Sequence, residues 1–121
     1  MQINALKMQF RRLKFRPHQQ EDIMLHTILF QDNPNADPDI RTRHMANHLD
    51  FLMQNKGIIQ AAGPLKDKDG SITGGLWLVD VNSTEDAWHL IKSDPFWPTG
   101  LRDTIEVKQW VQVFAEGRKL L

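Results

Sequence analysis

The order in which strand-like and helix-like segments follow one another constrains this chain more than any single motif. Met24 to Gln31 is rich in Ile, Leu, Phe and Thr, which predicts a buried strand of about 7 residues. It stops at Asp32-Asn33-Pro34-Asn35, a cluster of turn formers. Asp37-Pro38-Asp39 then opens a helix expected over about residues 38–56, with Ala46, Leu49, Leu52 and Met53 as its apolar stripe and Gly57 as its stop. Ile58 to Pro64 and Ile72 to Val81 read as two strands joined through Asp69-Gly70, a strong hairpin signal. Ser83 and Thr84 precede an acidic first turn and an apolar repeat, so Glu85 to Lys92 reads as a second helix that Asp94-Pro95 ends. Thr104 to Val113 alternates apolar and polar residues as a last strand.

The resulting order is β-α-β-β-α-β, an α+β, ferredoxin-like arrangement with a four-stranded antiparallel sheet and both helices on one face. The other face is left bare, and pairing with a second copy would cover it, so a homodimer is expected. Residues 1–22 carry Lys7, Arg11, Arg12, Lys14 and Arg16 against Glu21 and Asp22, and form a basic arm ahead of an α+β domain over residues 23–121. A targeting peptide fits this arm poorly, because its first 20 residues lack Ser, a signal-length apolar core and a small-residue cleavage pattern.

Composition excludes several functions. The 121 residues include no Cys, which removes disulfides, thiolate metal sites and cysteine nucleophiles. With 15 basic and 15 acidic residues the net charge is zero, so nothing suggests nucleic-acid binding. No apolar run approaches the roughly 18 residues of a membrane span. A small molecule or a second copy is the expected partner, and the cytoplasm the expected location.

His48 is the residue best suited to move protons near neutral pH. About 100° per residue places it at the border of the expected stripe, with Arg41 and His44 on the same side of the helix. Taken alone, His48 also reads as a border histidine that bonds to water. His44 and His48 have the i, i+4 spacing of two zinc ligands, but no glutamate stands beside the first and no third ligand is evident, so no metal is expected. Asp32 at a strand end and Asp94 at a helix end are candidate carboxylates, and both also suit ordinary turns. Trp97, in a Pro-rich loop, is a candidate cleft wall. No nucleotide-binding motif is present: Gly74-Gly75 lies inside a strand and no lysine follows it.

The sequence resembles the YciI-like (YCII-related) family. Phe30-Gln31-Asp32, Arg41, His48-Leu49-Asp50-Phe51-Leu52, Gly57, Ala62-Gly63-Pro64-Leu65, Asp69-Gly70, Glu85-Asp86-Ala87, Asp94-Pro95-Phe96 and Gly100-Leu101 carry the resemblance, in that order, over roughly residues 24–115. It implies a dimeric α+β barrel whose cleft holds a His-Asp pair. Carried over, the pair is His48 with Asp32, and Asp94 is the second carboxylate to consider. Many members have Gly-Ser where this chain has Gly74-Gly75, and short members lack the arm. The implied activity is cofactor-independent proton transfer on a small cyclic or phenolic metabolite, of isomerase, lyase or dehydrohalogenase type. In that reading His48 and Asp32 are catalytic, and Arg41, His44, Asp94 and Trp97 bind substrate. The alternative is a non-catalytic dimeric module that binds a ligand or a protein.

Overall fold

The computed structural model describes residues 24–121, and the basic arm lies outside them. Strand β1 (Leu25–Asp32) leads into helix α1 (Ile40–Gln54). Strands β2 (Ile59–Lys66) and β3 (Ile72–Asp80) form a hairpin, helix α2 (Thr84–Ser93) follows, and β4 (Arg102–Gln109) completes an antiparallel sheet of order β2-β3-β1-β4. This is the expected ferredoxin-like α+β arrangement. The last expected strand runs shorter than Thr104 to Val113 implied. It ends at Gln109, and a small hairpin of β5 (Phe114–Ala115) and β6 (Arg118–Lys119) follows, turning through Glu116 and Gly117 at φ 53° and 75°.

The helices cover one face of the sheet. Ile28 and Phe30 of β1 and Trp77 and Val79 of β3 pack against Phe51 of α1 and Ala87, Leu90 and Ile91 of α2. Alternation along each strand puts these residues on one side and Leu76 on the other, where it is exposed, as is Leu65 of β2. Ser83 caps α2 by accepting the amide of Asp86 at 3.0 Å, as the capping signal implied.

Helix α1 turns a different face inward than its apolar stripe suggested. Leu49 and Met53 are 54% and 66% exposed and Ala46 is exposed, whereas Ile40, His48 and Phe51 are buried and Leu52 packs partly on the core. A polar histidine counts against burial in any hydrophobicity pattern, and here it lies on the buried face because a partner awaits it there. Nor does Gly57 stop the helix. Asn55 is the C-cap, and its side chain donates to the Phe51 carbonyl at 2.8 Å.

Candidate active site

Pro95 builds the centre of the site. The residue before a proline is pushed out of the α region, and Asp94 adopts φ −72°, ψ 134° as α2 ends. Its side chain turns into the protein, only 1% exposed. There Asp94 Oδ1 accepts from His48 Nδ1 at 2.8 Å and from the Phe96 amide at 3.2 Å, while Oδ2 accepts from Arg102 Nη1 at 2.6 Å. Burial by itself would raise the Asp94 carboxyl above its ordinary range. The His48 hydrogen bond and the Arg102 charge outweigh that, with the Phe96 amide adding to them, and the group is held below the ordinary value. An ionised carboxylate only accepts, so His48 Nδ1 carries the proton and, in the neutral ring, Nε2 keeps its lone pair.

Arg102 reaches this cluster through an irregularity in the sheet. Along β1 and β4, Gln31 pairs with Thr104 but Asp32 pairs with Arg102, so the register shifts by one residue between them. Such a shift moves a side chain to the opposite face of a strand. Arg102 therefore joins Phe30 and Asp32 on the helix side of the sheet. Its guanidinium carbon sits 3.8 Å from the centre of the Phe30 ring and 5.3 and 5.5 Å from those of Phe96 and Trp77. Burial lowers the Arg102 value below its ordinary one, and the Asp94 charge and hydrogen bond offset that only in part. Its Nε is buried with no hydrogen-bond partner among the described residues.

The His48 ring is walled by aromatic groups: Phe96 at 4.6 Å, Trp77 at 6.2 Å and Phe51 at 6.5 Å between centres. His44, one turn earlier on α1, stands 6.4 Å from Phe96, edge to face.

The carboxylate on His48 is thus Asp94, where the resemblance had placed Asp32. Asp32 binds Arg41, which grips both of its carboxylate oxygens and also donates to the Gly74 carbonyl at 3.4 Å. Asp32 ends β1 and Arg41 begins α1, and the pair closes the loop between them. Trp97 opens a single 3-10 turn (Trp97–Thr99), is 41% exposed and lies edge to face on Trp88 at 6.4 Å. Arg102 escaped the sequence reading altogether, because a strand-opening arginine looks like any solvated charge until the register shift is known. A cavity of about 380 Å³ is lined by residues from Ile58 to Ser93, among them Asp80, Asp86 and His89, and none of the lining residues belongs to the His48 cluster. Among the described residues no cluster of His, Asp and Glu is arranged to hold a metal ion, and no helix is long and apolar enough to cross a membrane.

Fold and sequence together place the chain in a defined class: residues 24–111 match the YCII-related domain, and the chain belongs to that family. Among solved structures it is similar to the 5-chloro-2-hydroxyhydroquinone dehydrochlorinase TftG of Burkholderia phenoliruptrix AC1100, determined in complex with 2,5-dihydroxybenzoquinone. The two are 28% identical with a TM-score of 0.63, over 73% of this chain and 94% of that one. The Arabidopsis thaliana protein At3g17210 is more distant, 14% identical with a TM-score of 0.41, over 77% of this chain and 98% of that one. No curated protein sequence matches the chain.

Proposed function

We propose that this protein is a cofactor-independent acid–base enzyme in which His48 Nε2 accepts and returns a proton on a small cyclic or phenolic substrate, in an isomerisation or elimination. The observation that carries this reading is the 2.8 Å hydrogen bond from His48 Nδ1 to an aspartate held ionised. It orients the ring, sets the tautomer and stabilises the imidazolium that forms when a proton is taken up. The similarity to TftG supports a hydroxylated, chlorinated ring as the first substrate class to try.

For such a ring the elimination balances simply. One proton moves from a ring hydroxyl to the chlorine-bearing carbon, a second is removed from another hydroxyl as the C–Cl bond breaks, and chloride leaves a quinone behind. Both moves ask for a base that also gives its proton back, and imidazole does so near neutral pH. Arg41, His44 and Trp97 are proposed to contact the substrate, the first two steadying its oxygens. The exposed Leu65 and Leu76 on the bare face of the sheet support a homodimer joined sheet to sheet.

The test is to incubate the full chain with chlorinated hydroxyhydroquinones and follow chloride release and quinone absorbance. Wild-type protein is expected to turn over at least one of them, and His48→Ala to lose about 100-fold or more. Undiminished turnover in His48→Ala overturns the assignment of the base.

A further inference from the structure

We propose that Arg102 is the positioning residue of this site: by occupying Oδ2 of Asp94 it leaves Oδ1 to His48 and determines which ring nitrogen holds the proton. The inference rests on the acid–base reading for its catalytic meaning, but its geometry stands independently. Asp94 has two carboxylate oxygens and three donors, and the division among them is specific. Arg102 takes one oxygen, and His48 shares the other with the Phe96 amide. With Oδ2 tied to β4 and Oδ1 tied to its own loop, the carboxylate has no freedom to rotate.

Arg102 suits this task because little else holds it. Its side chain is 8% exposed, its Nε has no partner among the described residues, and aromatic faces rather than hydrogen bonds surround the guanidinium. A planar, weakly hydrated cation tolerates that setting, whereas the compact ammonium of a lysine would be stripped of water there. Among the described residues, the other charged or titratable groups near the pair are His44 and Arg41 from α1 and Asp32 from β1. Asp32 and Arg41 bind each other, so Arg102 is the cation that balances Asp94 while His48 is neutral.

The test uses the full chain labelled with 15N and reads which ring nitrogen of His48 carries the proton. His48→Ala assigns its signals among the five histidines. In wild-type protein at neutral pH the expected signature is a protonated Nδ1 and an unprotonated Nε2. Arg102→Met frees Oδ2 and lets the carboxylate rotate, so the ring is expected to lose its single tautomer, with the proton shared between Nδ1 and Nε2. Arg102→Lys, which restores the charge without the planar fork, is expected to recover part of the preference for Nδ1. An unchanged tautomer in folded Arg102→Met overturns the proposal; if that variant fails to fold, the wild-type tautomer in Arg102→Lys together with Arg102→Gln does so. These outcomes are separate from the acid–base reading, which fails only if His48→Ala keeps its turnover.

Discussion

His48 and Asp94 lie 46 residues apart in the chain and 2.8 Å apart in the fold, and the aspartate is the less exposed of the two. That burial has an energetic consequence. Asp94→Asn keeps the size of the side chain but removes the charge that balances Arg102, which would then be a buried cation facing a neutral amide. Breaking a buried pair in this way costs about 3–5 kcal/mol. Urea denaturation of the variant is expected to show a loss of that order, and a change below about 1 kcal/mol would mean that water already reaches Arg102.

Acid is expected to unfold the protein partly through the same group. Asp94 has a folded-state value below its ordinary 3.8, so its contribution is fully present above the unfolded value and is lost as pH falls through the depressed folded one. Unfolding free energy measured from pH 6 down to pH 2 should therefore fall more steeply in wild type than in Asp94→Asn below about pH 4. Parallel curves would show that Asp94 does not contribute to acid sensitivity.

Gly74 and Gly63 make a controlled pair. A Cβ on Gly74 would stand 2.1 Å from the Phe30 carbonyl oxygen, a backbone atom in the adjacent strand that cannot move aside alone, whereas a Cβ on Gly63 meets nothing within 4 Å. Gly74→Ala is expected to cost more than about 2 kcal/mol and to loosen Arg41, which donates to the Gly74 carbonyl. Gly63→Ala is expected to stay within about 0.5 kcal/mol of wild type. Thermal unfolding of both variants decides, and equal stability would contradict the close approach of β1 and β3 at Gly74.

The face that α1 buries is tested by two truncations. Phe51→Ala empties a core position and is expected to cost about 3–5 kcal/mol, while Leu49→Ala, at a residue 54% exposed, should cost less than about 0.5 kcal/mol. A Leu49 cost comparable to that of Phe51 would mean that another surface covers this side of the helix.

If the bare face of the sheet joins two copies, Leu76→Asp should convert the assembly to a monomer without unfolding it, because Leu76 is 40% exposed within one chain. Light scattering after size-exclusion chromatography reads the mass directly. A wild-type monomer would remove the dimer proposal, and a dimer that survives the substitution would place the interface elsewhere.

Much of the architecture was legible from local signals: the alternating segments, the Asp69-Gly70 hairpin, the Ser83 cap and the Asp94-Pro95 break act within a few residues of where they are written, and each appears in the fold. His48 was legible too, as a histidine on a helix in a pattern that resembles a known family. Its partner was not, because Asp32 and Asp94 look equally like turn carboxylates when only neighbours in sequence are compared. Tertiary structure settled the pairing. Pro95 turns the end of α2 so that Asp94 points back at α1, and Arg41, in the first turn of that helix, holds Asp32. Nor could a periodicity argument place His48 on the buried face of α1, since an apolar stripe assigns inside and outside by residue type, while a polar residue goes inside when a long-range partner satisfies it. Arg102 makes the same point through the sheet. The strand pattern started the last strand only at Thr104 and left Arg102 outside it, and the one-residue register shift against Asp32, decided only when β1 and β4 pair, is what turns its charge inward.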